Sequence, residues 1–363
     1  MKWYLKILFL PILLVNLLVA LLLVCCAYSP VLPAEYMPLL SLAGLAFPFV
    51  LAANVVFLLV WLLLYRPFIL VPIVTLLICF PQIRAFIPIN IARQKPPVGS
   101  LKLVSYNILS SNLKASTANR ENPLVNYLEG CGADIICLQE FPFSSLKSKA
   151  AEGLFAEYPY RSYQLSDLSE LKSHYLCCLS KYPILSVEKV DLNSTGNGCA
   201  RYQILHQTDT IVVYNCHLQS NNLNAENKTT YEQLLSNLDK EKITAEGTRE
   251  LVKKLRGAAS KRAAQANVVM AEVRKESSPY VIVCGDFNDS PISYTRKVFS
   301  QELSDAFVRS GNGLGFSYNQ NKLFYRIDHI MCSDSFEAYD CTVDYSIRVS
   351  DHYPISCYLK KAK

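Results

Sequence analysis

The sequence predicts a layered α/β domain behind an N-terminal helical region that crosses a membrane. Three observations carry this. Residues 1–100 contain three long apolar stretches and almost no acid. Beyond them, apolar runs of strand length alternate with hairpins and helical patterns. Most of those runs end in one polar side chain of a kind that does chemistry.

The charge is divided unequally. Residues 1–100 hold Lys2, Lys6, Arg66, Arg84, Arg93 and Lys95 against Glu35 alone. The other 263 residues hold 30 Lys/Arg against 29 Asp/Glu. The formal +6 therefore belongs mainly to the flanks of apolar segments, and the remainder is close to neutral. Near-neutrality argues against a domain that grips nucleic acid without regard to sequence, though a local basic groove stays open.

The apolar stretches run from about 7 to 27, 39 to 64 and 68 to 87. The first two exceed the ~20 residues that span a hydrocarbon core. Pro72 and Pro81 interrupt the third. A second span behind the first favours a retained helix over a cleaved signal peptide. We expect a membrane region of about three spans over 1–92, a Pro-containing polar linker over 93–100 and a soluble domain over 101–363. Basic residues nearly tie between the two orientations. The first helix usually dominates, which places the N-terminus inside, and three spans then place the soluble domain on the extracytoplasmic face. The thirteen cysteines pull the other way, because they show no CxxC pair and read as small buried hydrophobes.

Within the domain, Leu101–Asn107 reads as a strand ending in Asn107, residues 122–130 as a helix, and 133–140 as a buried strand ending in Glu140. Strands are expected at 174–180 and 184–190. A hairpin of 202–206 and 210–216 delivers His217. Residues 229–276 are helical in pattern, with Gly247 and Gly257 as interruptions. Arg256, Lys261, Arg262 and Arg274 there read as solvated or structural.

The apolar run Val281–Cys284 leads into Gly285, Asp286, Phe287 and Asn288. An i, i+2 pair on extended chain points one way, so Asp286 and Asn288 can face one ligand. Taken alone the pair is equally an Asx turn. A short helix is expected over 291–300, then strands over 324–331 with Asp328, over 342–347, and over 353–359 behind Asp351 and His352. The loop 311–315 lacks the strand–helix context of a phosphate-binding glycine loop.

Convergence of these strand ends would make one site. Carboxylate and amide oxygens suit Mg²⁺, Mn²⁺ or Ca²⁺ better than zinc. Two histidines and an Asp/Asn pair suit activation of water and stabilisation of a five-coordinate phosphorus. The set reads as metal-assisted phosphoester hydrolysis.

Ser-Tyr-Asn107, Leu-Gln-Glu140, Asn-Cys-His217-Leu, Gly-Asp286-Phe-Asn288, Arg-Ile-Asp328-His and Ser-Asp351-His352 resemble, in order, the motifs of the endonuclease/exonuclease/phosphatase superfamily of deoxyribonuclease I-like fold. The membrane-anchored layout looks like that of its bacterial members. The resemblance implies a four-layered α/β/β/α sandwich. It implies Glu140 as main metal ligand with Asn107 and Asp351 nearby, and Asp286, supported by Asn288, on the attacking water. It implies His217 and His352 on the scissile phosphate, with Asp328 orienting His352. The expected cofactor is Mg²⁺, with Mn²⁺ or Ca²⁺ as alternatives. The expected partners are a phosphate-ester substrate (nucleic acid or phospholipid head group) and the lipid bilayer, with no obligate protein partner. A phosphodiesterase or endonuclease is the first reading. A lipid-directed phosphatase or phospholipase C-like enzyme is the second, and an inactive membrane binding module the third. The superfamily's breadth leaves the substrate open.

Overall fold

The computed structural model describes residues 9–33, 36–91, 95–109, 122–142, 155–165, 174–194, 196–221, 223, 225–236, 244–320 and 325–362. Its helices are α1 (Leu10–Tyr28), α2 (Pro38–Ser41), α3 (Phe47–Leu64), α4 (Leu70–Ile78), α5 (Phe80–Phe86), α6 (Pro123–Gly130), α7 (Ala225–Ser236), α8 (Ala245–Val273), α9 (Tyr294–Phe299) and α10 (Ala306–Ser310). Its strands are β1 (Leu101–Asn107), β2 (Ile135–Pro142), β3 (Tyr160–Leu165), β4 (His174–Ser180), β5 (Ile184–Val190), β6 (Gly198–His206), β7 (Asp209–His217), β8 (Val281–Asp286), β9 (Ser304–Asp305), β10 (Asp328–Cys332), β11 (Phe336–Val343) and β12 (Ile355–Lys361).

The strands form two mixed sheets of six, ordered β11-β12-β1-β2-β4-β3 and β5-β6-β7-β8-β10-β9. Each has a parallel pair near its middle, β1 with β2 and β7 with β8. All four of these strands run toward one edge of the sandwich. Their burial is almost continuous, as expected of strands covered on both faces. Leu103, Cys137, Cys178, Tyr202, Val213, Cys284 and Cys357 pack between the sheets. The outer face of the first sheet is covered by α6 through Leu124 and Leu128. The outer face of the second is covered by α8 through Ala266, Val269 and Met270. This is the four-layered arrangement. All thirteen cysteines are free thiols and most are buried within it, filling core volume.

Several expectations shift in detail. The helical region 229–276 resolves into α7 and α8. Gly247 lies in the first turn of α8, where its N–H donates to Thr244 Oγ1 at 3.0 Å. Gly257 does not interrupt α8 at all, because a lone glycine on an open helix face costs only about 1 kcal/mol. The strand expected at 342–347 is instead β11, which begins six residues earlier and contains a bulge after Tyr339. Strands β3 and β9 were not expected, since neither has an alternating apolar pattern.

The N-terminal helices contain two stretches long and apolar enough to cross a membrane, Leu10–Val31 and Leu39–Leu64. They are joined by polar contacts inside an apolar pair: Trp61 Nε1 donates to Asn16 Oδ1 at 2.8 Å, and Asn54 Nδ2 to the Val19 carbonyl at 3.2 Å. The third stretch is not one helix. It bends by 63° between α4 and α5. Pro81 opens α5, and in a continuous helix it would remove a hydrogen bond and crowd the preceding turn.

These helices pack on the sandwich rather than hanging from a linker. Ile292 joins Leu23, Phe47, Leu51 and Phe86 in one apolar cluster. Arg326, fully buried, donates from Nη2 to the Ala85 carbonyl at 2.5 Å and from Nη1 to the Leu314 carbonyl at 2.8 Å. Asn90 donates to the Gly311 carbonyl at 2.5 Å, and the Gly313 N–H to the Pro88 carbonyl at 2.9 Å. The 311–315 loop is therefore a docking loop. Gly44 touches Ile292 so closely that a Cβ would lie 2.0 Å from its carbonyl oxygen.

Gly285 is the corresponding constraint inside the sandwich. Its φ is +133°, and a Cβ would sit 1.9 Å from the Cys216 carbonyl oxygen on the adjacent strand. Gly285→Ala should destabilise the purified chain by about 3 kcal/mol or more, visible as a large fall in thermal midpoint.

Candidate active site

The parallel strands set four side chains side by side. Asn107 ends β1, Glu140 lies near the end of β2, His217 ends β7 and Asp286 ends β8. The carboxyl ends of parallel strands are where open α/β sheets collect ligands. Asn107 is the bridge between sheets. Its Nδ2 donates to Glu140 Oε1 at 3.1 Å and to Asp286 Oδ2 at 3.0 Å, while its Oδ1 accepts from the Leu109 N–H at 3.0 Å. His217 Nε2 stands 3.7 Å from Glu140 Oε1 and 3.8 Å from Asp286 Oδ2.

Glu140 reaches this point through a bulge. Pairing with β4 slips between Leu138 and Phe141, and Glu140 takes φ +54°. A left-handed glutamate carries strain of about 1–3 kcal/mol. The bulge lifts its side chain off the strand's alternation and leaves it partly exposed. Asn288 is also left-handed, at φ +53°. Its N–H donates to Asp286 Oδ1 at 2.8 Å, and its Nδ2 to the Leu218 carbonyl at 3.0 Å. Asp286 and Asn288 thus form an Asx turn and also border one cavity. The two readings of the motif describe the same geometry.

Asp328 opens β10 and is fully buried. His352 Nδ1 lies 2.8 Å from Asp328 Oδ2, and its Nε2 lies 3.7 Å from Asp286 Oδ2 and 4.0 Å from Asp351 Oδ1. Burial pushes Asp328 up, opposed by the adjacent imidazole. Burial would lower His352, but Asp328, Asp286 and Asp351 all face the ring and raise it to about 10. We assign the pair as carboxylate and imidazolium. Burial raises Asp351 as well, helped by Glu140 and Asp286 nearby.

Seven of the eight expected residues line a single cavity of about 330 Å³: Asn107, Glu140, His217, Asp286, Asn288, Asp351 and His352. Asp328 stands behind His352. Other neighbours carried no signal in the sequence. Tyr318 packs edge-on against His352 at 5.2 Å, and the Tyr231 and Tyr325 hydroxyls meet at 3.0 Å in the cavity wall. Arg262 is buried and structural, donating to the Gln219 carbonyl and Asn221 Oδ1, both at 2.9 Å, with Asp289 Oδ2 at 3.3 Å. His329, next to Asp328, belongs to the core: burial holds it down to about 4, and it stacks on Phe287.

The donor set fits a divalent cation. Glu140, Asp286 and Asp351 line the cavity together with the Asn107 amide, and the first two add to burial in disfavouring the charged form of Asp351, a cost that a cation between them would offset. Asp286, Asp328 and His352 also bring one ligand atom each within 4.8 Å of one another. There, however, Asp328 Oδ2 and His352 Nδ1 are already engaged with each other.

A family model, Endonuclease/Exonuclease/phosphatase family, matches residues 104–352. The chain belongs to this family. It is accordingly a phosphoester hydrolase, of a family whose enzymes generally need a divalent metal. A second family model, Domain of unknown function (DUF8431), matches residues 6–86. No curated protein matches the chain. Among solved structures, a family protein from Bacteroides thetaiotaomicron is 17% identical with a TM-score of 0.51, over 74% of this chain and 100% of that one. A second, from Bacteroides vulgatus, is 14% identical with a TM-score of 0.52, over 72% and 99%. A third, from Beutenbergia cavernae DSM 12333, is 15% identical with a TM-score of 0.51, over 72% of each chain. Identities this low show a shared fold.

The Asp328–His352 pair makes a pH prediction. The folded value of His352 is raised, so its contribution to stability is complete below the unfolded histidine value, near ~6.5. It is lost as pH rises through about 10. Asp328→Asn should lower the His352 titration midpoint, read by proton–nitrogen NMR, and should remove this alkaline loss of stability.

Proposed function

We propose that the chain is a membrane-anchored phosphodiesterase that hydrolyses its substrate by in-line attack of water. The observation that carries this is the Asn107 amide, which holds Glu140 and Asp286 from opposite sheets at one point beside two histidines. Glu140, Asp351 and Asn107 would hold Mg²⁺. In the present arrangement Asn107 turns its NH₂ to the acids, and its oxygen would be repelled there without a cation between. When bound, the ion would neutralise phosphate charge and stabilise the leaving oxygen.

The remaining roles belong to the chain's own residues. Asp286, fixed by the Asn288 N–H and by Asn107, orients water and accepts its proton. His352, kept cationic by Asp328, donates from Nε2 to a phosphate oxygen, and His217 approaches from the other side. The water oxygen forms a bond to phosphorus as the ester P–O bond breaks. The alcohol oxygen leaves with the pair of electrons and gains a proton. The two long apolar helices support anchoring, with a division into membrane region 1–92, linker 93–100 and catalytic domain 101–363. With the bent third stretch counted as one further span, the charge count leads us to propose that domain on the extracytoplasmic face.

The full chain in detergent with Mg²⁺ should hydrolyse bis-p-nitrophenyl phosphate, and EDTA should abolish turnover until Mg²⁺ is restored in excess. Glu140→Gln and His352→Ala should each lower kcat by about 10²–10⁴-fold. Unchanged kcat in either would overturn the assigned roles.

A further inference from the structure

The cavity has a second wall, and it is apolar. Besides the catalytic residues it is lined by Leu42, Leu45, Leu223, Leu255, Ala259 and Ile292. Leu255 and Ala259 come from α8, and Ile292 from the turn before α9. Leu42 and Leu45 come from the helical turn Leu42–Ala46 at the head of α3. Both leucines lie inside the second stretch long enough to cross a membrane, Leu39–Leu64. The same cavity therefore holds the catalytic residues and side chains from a segment suited to hydrocarbon depth.

The join is rigid. Gly44 sits against the Ile292 backbone, and Leu42 and Tyr294 both pack on the cluster of Ala259 and Ala263. The apolar wall is thus held in register with Asp286 and His352, which line the same cavity. Tyr318, Tyr231 and Tyr325 also line the cavity, side chains suited to the boundary of apolar and polar surroundings. A polyanionic strand gains nothing from leucines on one side of its phosphate. A cavity of about 330 Å³ also lies near the lower end of ordinary small-ligand pockets, ~300–1,000 Å³.

Resting on the phosphoester-hydrolase reading above, we propose that the substrate is a lipid phosphoester drawn from the bilayer. Its phosphate meets His217 and His352 with Asp286 on the attacking water, while a hydrocarbon chain on one ester oxygen lies along Leu42 and Leu45. The chemistry is unchanged: water adds to phosphorus, the other ester bond breaks, and its alcohol departs protonated.

The test is a series of alkyl p-nitrophenyl phosphate diesters, methyl to octyl, hydrolysed by the full chain in phosphatidylcholine nanodiscs with Mg²⁺. Water oxygen becomes part of the alkyl phosphate product and p-nitrophenolate is released. Transfer free energy permits up to about 4-fold per fully buried methylene. The octyl-to-methyl ratio of kcat/KM should be at least about 10-fold larger for the wild-type chain than for Leu45→Asp. Partition into the bilayer is common to both proteins and cancels in that comparison. Leu45→Met should keep the wild-type ratio. Equal ratios in wild type and Leu45→Asp, with all esters turned over, overturn the lipid assignment and leave the hydrolase reading intact. A wild-type ratio that does not rise with chain length overturns it even if Leu45→Asp fails to fold. Faster turnover of single-stranded DNA or RNA than of the octyl ester also overturns it. Absence of turnover on every ester overturns both readings.

Discussion

The two sheets would be free to slide on one another if only apolar side chains met between them. A buried polar contact prevents this. Gln139 of the first sheet donates from Nε2 to Asn215 Oδ1 of the second at 2.6 Å, and also reaches Ser105 Oγ at 3.2 Å. Asn215 in turn donates to the Leu138 and Cys177 carbonyls across the interface. Breaking this network by sliding would leave amides unpaired in the core, at roughly 1–3 kcal/mol each. Gln139 immediately precedes Glu140, and Asn215 lies two residues before His217. The contact that sets sheet against sheet therefore also sets the acid against the histidine. The Asn107 bridge can form only in that register.

Above this layer the backbone does what side-chain alternation cannot. Glu140 and Asn288 both occupy the left-handed region, and Gly285 carries β8 past the Cys216 carbonyl at a distance no other residue allows. Strain gathers where the chain leaves the sheets and is absorbed by the packed strands beneath. The Asp328–His352 pair adds a fixed positive charge beside Asp286, in a buried setting that would otherwise favour a neutral ring. Rigid strands thus supply position, and the irregular residues supply direction.

Much of this could be read from the sequence, for identifiable reasons. Buried parallel strands are nearly continuous apolar runs, so a polar residue at the end of one stands out; Asn107, His217 and Asp286 are of this kind. Asp351 and His352 stand out before a final strand. The bulge at Glu140 leaves no such trace, because it depends on pairing with β4. Strand β3 reads poorly because Tyr160–Leu165 has no alternation, and its pairing with β4 decides it. Arg326 and Tyr318, and the loop partners of Arg262, a residue that already reads as solvated or structural, leave no local trace for a different reason. Their roles are set by what lies opposite them in space: a helix-end carbonyl, a loop and an imidazole. The docking of the N-terminal helices is likewise a tertiary fact. A Pro-rich stretch such as 95–97 reads as a spacer, and no local pattern reveals that Gly44 will meet Ile292.

That meeting has a consequence for how the molecule can change. A tether can be lengthened, swapped or cut without altering what it tethers. Here the helical segment contributes Leu42 and Leu45 to the same cavity as Asp286 and His352, so it is part of the active-site architecture. Substitutions in this helical segment at Leu42 or Leu45 also reshape the cavity that Asp286 and His352 line. The apolar helical segment and the catalytic cavity are therefore bound to change together, because they share a wall.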